Sequence, residues 1–98
     1  MNMNRRDEVF GIIRSHQADL QRKGVENLAV FGSVARGESS AKSDVDLLIE
    51  FNHSVGIFEF IRVKMLLEEW LGCRVDLVTL DALHPALREH ILDEAIYV

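Results

Sequence analysis

What this chain has little of narrows its reading first. It holds a single cysteine, Cys73, so no intrachain disulfide can form, and cysteine usage gives no sign of an oxidising compartment. One proline, Pro85, and six glycines in 98 residues exclude collagen-like and proline-rich architectures. No run approaches the roughly 20 apolar residues that a membrane-crossing helix needs. The opening MNMNRRDEVF has arginines with no apolar stretch behind them, so no signal peptide is expected and a cytoplasmic location is the default. Positive charge is scarce as well: 11 Lys and Arg stand against 16 Asp and Glu, a formal net charge of −5. Binding to a nucleic-acid backbone relies on clustered Lys and Arg, so nucleic acid is not an expected partner.

What is present is ordinary for a globule, with 48% hydrophobic and 28% charged residues. The length suits one hydrophobic core, and residues 1–98 are expected to form one domain without repeats or linkers. The pattern predicts an α/β (α+β) chain in the order α-β-α-β-α-β-α, with about four helices on a three-stranded mixed sheet. A first helix is expected over Arg6–Lys23, with Val9, Ile12, Ile13 and Leu20 near one face and Gly24 as its stop. Asn27–Phe31 (NLAVF) reads as a buried strand, Ser33–Arg36 as a short helix, and 37–43 (GESSAKS) as a polar loop. Ile57–Leu71 is predicted helical up to Gly72, with Phe60, Met65, Leu66 and Trp70 assigned to the core, or some of them to a surface that meets a partner. Arg74–Leu80 (RVDLVTL) reads as a strand, and Pro85–Asp93 as a last helix capped by Asp81 or His84 before a terminal AIYV with extended character.

The most informative strand is Asp44–Phe51, DVDLLIEF. Its odd positions, Val45, Leu47, Ile49 and Phe51, are apolar, whereas Asp44, Asp46 and Glu50 fall on the other face. Two residues apart on a strand, the Asp44 and Asp46 carboxylates point the same way, with Cα atoms roughly 6.6 Å apart. Hard divalent cations take oxygen ligands, so such a pair suits one or two Mg²⁺ ions. If the Asp76 strand lies beside this one, its carboxylate joins the pair while Val75 and Leu77 face the core. A third carboxylate there can accept a proton from an attacking hydroxyl or hold a second metal. Upstream, Gly32 and Ser33 stand where a strand ends and a short helix begins. Glycine lets a backbone approach a ligand closely, and the helix start with the serine hydroxyl offers donors to phosphate oxygens.

Gly32-Ser33, then ten residues, then Asp44-x-Asp46, then Asp76 in a later VDLV strand, resembles the signature of the DNA polymerase β-like nucleotidyltransferase superfamily. The text FGSVARGESSAKSDVDLLIEF resembles its smallest branch, the MNT domains that accompany HEPN proteins in toxin–antitoxin pairs, and the likeness spans essentially the whole chain. The resemblance implies a Mg²⁺-dependent enzyme with ATP as nucleotide donor. It assigns Gly32 and Ser33 to the triphosphate, with Arg36 as a further phosphate contact. Asp44 and Asp46 become metal ligands, with Asp76 the third carboxylate near the attacking oxygen and metal. It also implies an antitoxin that moves AMP onto a tyrosine of a HEPN toxin. Many relatives carry Arg directly after the Gly-Ser pair, where this chain has Val34. Larger relatives carry an extra domain for the acceptor. No residues remain for one here, so the acceptor is expected on another polypeptide.

Blander readings stand beside these. The three aspartates can form a solvated strand face, Ser33 can simply cap a helix, and Glu50 reads as a surface residue. Arg36 and Lys42 can be solvated loop residues. His16, His53, His84 and His90 lack metal-ligand spacing, and Cys73 reads as a small buried apolar residue. Two other functions compete with the enzyme: an antitoxin that acts by covering its partner, and a catalytic subunit whose small-molecule acceptor is held by a separate chain.

Overall fold

Alternation with period two over 44–51 decides the architecture, because it commits one face of a strand to the core. In the computed structural model, which describes residues 4–38 and 44–98, Val45, Leu47 and Ile49 are fully buried. The elements follow as α1 (Arg5–Ser15), α2 (Gln17–Arg22), β1 (Val25–Phe31), α3 (Gly32–Ala35), β2 (Val45–Phe51), α4 (Ile57–Leu71), β3 (Val75–Thr79), α5 (Pro85–Glu94) and β4 (Ile96–Tyr97), with a 3-10 turn at Leu80–Ala82. Sheet order is β3-β2-β1-β4. β2 runs antiparallel to β1 and parallel to β3, and β4 pairs antiparallel with β1. The mixed α/β architecture read from the sequence is the one the chain adopts. Lys42, with most of the polar 37–43 stretch, lies outside the described residues.

Each sheet face has its own cover. On one face Val9 and Ile13 of α1, Leu20 of α2, and Val63, Leu67 and Leu71 of α4 close over Val30, Val45, Leu47, Ile49, Val75 and Leu77. The other face carries a smaller cluster of Ala29, Leu48 and Ile91, with Phe31 and Val78 against it. Ile91 comes from α5, so α5 lies on the face that bears the acids of β2. Helix ends use local chemistry. Asn4 accepts from the Asp7 N–H at 2.8 Å at the start of α1. His84 Nδ1 accepts from the Ala86 N–H at 3.1 Å ahead of Pro85, so His84 rather than Asp81 caps α5. Gly72 ends α4 in the left-handed region at φ 69°.

The structure departs from the sequence reading at three points. The predicted helix over Arg6–Lys23 breaks at His16, whose φ of −112° and ψ of 14° leave the helical region. The His16 ring stacks on Trp70 of α4 with centroids 3.9 Å apart and an interplanar angle of 13°, a tertiary contact that local periodicity does not contain. The sheet has four strands rather than three, because Ile96–Tyr97 pair with Val30 and Ala29. Two residues are too few for alternation to announce a strand. Met65 is 61% exposed and not part of the core. The buried stripe of α4 is Val63, Leu67 and Leu71, and a residue two positions from Val63 is rotated about 200° away from it. Phe60 and Trp70 do pack against the core, and Leu66 is half-buried.

These positions separate by substitution. Leu67→Ala, at a fully buried site, is expected to lose about 2–5 kcal/mol in denaturant unfolding. Met65→Ala should stay within about 0.5 kcal/mol of the parent.

Candidate active site

The site begins where β1 ends. Phe31 pairs across the sheet with Asp46, so the next residue, Gly32, turns the chain directly beside that carboxylate. Gly32 has φ +74°, and a Cβ placed on it would sit 2.2 Å from Asp46 Oδ2. Only glycine meets both demands, the left-handed backbone and the close approach. The turn feeds α3, whose preceding residue Phe31 gives no side-chain cap. Val34 and Ala35 bury themselves in the core and leave half-buried Ser33 at the turn. Val34, directly after the Gly-Ser pair, therefore serves packing.

The carboxylates converge through strand register. β2 and β3 run parallel with Asp46 opposite Asp76, and their flanking partners Val45–Val75 and Leu47–Leu77 are all buried. Both aspartates therefore share the outer face on adjacent strands, about 4.8 Å apart in backbone spacing. Asp44 stands one residue ahead of β2, exposed. Burial first, then the hydrogen bond to Asp76 and the charges of Asp76, Asp44 and Glu94, push the Asp46 carboxyl up to about 6. Two like charges about 4 Å apart repel by about 4 kcal/mol at an effective dielectric near 20. The pair relieves that repulsion by holding a proton or a cation.

An all-carboxylate donor set fits a hard divalent ion. Among the described residues, no group of three or more His, Cys, Asp or Glu side chains stands ready as a metal cage.

Arg36, at the C-cap of α3, donates from Nε to Glu38 Oε2 at 3.0 Å and pairs through Nη1 with Glu94 of α5. Its guanidinium is thus engaged by two carboxylates beside the site. Glu94 was not legible in the sequence: it lies 58 positions from Arg36, at a helix end with no motif around it. Glu50, four residues further along β2 on the same face, accepts from Asn27 Nδ2 at 3.0 Å, away from the end of the strand where the acid pair lies. Cys73 is half-buried, its Sγ accepting from Arg5 Nη2 at 3.0 Å. An open groove of about 550 Å³, lined by residues including Phe51, His53, Thr79 and Asp81, lies beyond the C-terminal ends of β2 and β3. Asp46 and Asp76 sit at the opposite, N-terminal ends of those strands, so the groove is separate from them.

A mixed sheet whose first strand ends in a Gly-Ser turn against in-register carboxylates is the frame of a phosphate-handling transferase. Residues 13–98 match the family model described as nucleotidyltransferase domain, and the chain belongs to that family. It is 39% identical over 93 residues to the protein adenylyltransferase MntA of Thermococcus cleftensis, covering 94% of each chain. A solved minimal nucleotidyltransferase superposes with a TM-score of 0.81 at 39% identity, covering 97% of this chain and 96% of that one. The solved complex of tri-AMPylated Shewanella oneidensis HEPN toxin with MNT antitoxin shares the fold at TM-score 0.60 and 15% identity, covering 95% and 67%.

Two outcomes follow from this geometry. Gly32→Ala is expected to lower stability by about 2 kcal/mol, the left-handed strain adding to the clash with Asp46; thermal melts measure it. Because the Asp46 carboxyl is raised from the ordinary range near 4 to about 6, the folded protein binds this proton more tightly than the unfolded chain. Metal-free stability should therefore fall as pH rises through that window and stay lowered above it. Asp46→Asn should gain about 1–2 kcal/mol at pH 8 in metal-free buffer, after discount for solvent screening, and nothing below pH 4. Urea titrations at the two pH values measure the difference.

Proposed function

We propose that this enzyme is a Mg²⁺-dependent protein adenylyltransferase that moves AMP from ATP onto a tyrosine of a partner HEPN toxin, silencing it as an antitoxin does. The observation that carries the reading is Asp46 beside Asp76, in register and against the Gly32 turn. The adenylyltransferase name of the Thermococcus relative and the HEPN partner of the Shewanella antitoxin support the choice of donor, product and partner. Residues 1–98 act as one domain in this reading, and the donor nucleotide makes the cytoplasm its place of work.

Gly32 and Ser33 receive the triphosphate, the backbone approaching without a Cβ and the hydroxyl donating to a phosphate oxygen. Arg36 adds positive charge at the same end. Asp44, Asp46 and Asp76 would hold Mg²⁺, which supplies charge neutralisation on the phosphates and a lowered pKa for the incoming hydroxyl. The tyrosine oxygen forms a bond to the α-phosphorus, and the bond from that phosphorus to the β-phosphate bridging oxygen breaks. Pyrophosphate leaves. The tyrosine proton passes to a carboxylate, and Asp76 is best placed, being the exposed member of the pair at the outer strand. On the far side of the sheet, α4 presents Ile57, Phe58, Ile61 and Met65 to solvent, an apolar stripe available to a partner chain.

The test is incubation with labelled ATP, Mg²⁺ and the cognate toxin. Label should appear on a toxin tyrosine together with loss of toxin activity. The Asp44→Asn, Asp46→Asn double variant should reduce labelling to background while melting no earlier than the parent. Absence of label with the unaltered chain sinks the enzymatic reading. Neutralisation by the unlabelling double variant transfers the role to complex formation.

A further inference from the structure

We propose that Glu94 is a positioning residue of the nucleotide site, acting through Arg36 to hold the Gly32–Ser33 turn in the geometry that receives the triphosphate. The inference rests on the functional reading above.

The turn needs external support. α3 has four residues, and so short a helix is not stable on its own hydrogen bonds. Burial of Val34 and Ala35 anchors one side of it. Its exit is tied twice, by Arg6 Nη1 donating to the Ala35 carbonyl at 3.3 Å and by Arg36 at the C-cap. Of the two acids on Arg36, Glu38 is a near neighbour in sequence and cannot fasten α3 to another element. Glu94 can, because it belongs to α5.

Glu94 is also poorly placed for an acid without a task. Its side chain is 14% exposed, against 63% for Glu38. It closes the last turn of α5, where the helix dipole disfavours a carboxylate and no basic residue from that turn offsets it. It adds to the negative field on Asp46. Among the described residues, the cation pairing with it is Arg36. An exposed ion pair is worth little, but this one is largely shielded on the Glu94 side and joins the phosphate turn to the helix covering the acid face. Among the described residues, removal of Glu94 leaves Arg36 paired with Glu38 and takes away the ion pair that joins α3 to α5.

The experiment measures Mg·ATP affinity by calorimetry, and KM and kcat with the partner toxin as acceptor. Glu94→Ala is expected to raise Kd and KM for ATP about tenfold, as loss of a supporting partner commonly does, with kcat within about twofold of the parent. A merely structural role would shrink the active fraction and leave KM unchanged. Glu94→Gln, which keeps the acceptor oxygen without the charge, should retain part of the affinity, and it carries the test if Glu94→Ala does not fold. In an Arg36→Met background, Glu94→Ala should cost nothing more. Unchanged or tighter ATP binding in Glu94→Ala overturns the proposal, as does a tenfold loss persisting without Arg36. If the parent chain shows no Mg-dependent ATP binding, the functional reading falls and takes this one with it. Parent binding matched by Glu94→Ala sinks the Glu94 role alone.

Discussion

The register between β2 and β3 is the constraint on which the site depends. Asp46 stands opposite Asp76 because Val45 stands opposite Val75 and Leu47 opposite Leu77. A slip of one residue on either strand would turn its acid into the core and its valine or leucine to water. Repulsion between the acids, about 4 kcal/mol at close approach, favours such a slip or a parting of the strands. Full burial of a Val, Leu or Ile side chain is worth about 1.5–3 kcal/mol. Val45, Leu47, Ile49, Val75 and Leu77 are all buried, so the core outweighs the repulsion severalfold. The acids are held where apolar packing puts them.

The turn at Gly32 makes the same point in the backbone. Because Phe31 pairs with Asp46, the chain leaving β1 must pass the carboxylate, and it does so with no Cβ between them. That approach contributes to the partial burial that raises the Asp46 carboxyl. A carboxylate whose charged form is disfavoured by its surroundings is stabilised by a cation beside it. Perturbed acids gathered at a cleft are a functional signal for this reason, and here the perturbation comes from burial and a specific neighbour together.

Much of this was legible in the sequence. The alternation in DVDLLIEF placed Val45, Leu47 and Ile49 inward, and the matching VDLV placed Val75 and Leu77 inward, so the shared face of Asp46 and Asp76 followed once the strands were neighbours. Gly32 stood out by its place between an apolar run and a short helix. What escaped was long-range. The break at His16 comes from a stacked ring on α4, the β4 strand is two residues long, and Met65 differs from its buried neighbours only by angle around the helix. Glu94 carried no signal at all, since its significance lies in Arg36, far away in the chain.

The two faces of the sheet explain why the site sits at an end rather than over the middle. α5 covers the centre of the acid-bearing face through Ile91 on Ala29 and Leu48, which leaves the strand ends near Asp46 and Asp76 uncovered. The exposure across that opening is graded: Gly32 and Asp46 are half-buried, whereas Asp76 is exposed on β3, the outermost strand. In the proposed reaction this gradient orders the reactants. A triphosphate needs the inner position, where backbone donors and a shielded carboxylate strengthen electrostatic contacts. The acceptor must reach the α-phosphorus from the side opposite the departing pyrophosphate, and the exposed Asp76 on the edge strand β3 stands at that opening. A tyrosine carried on a second protein can approach there without any rearrangement of the sheet.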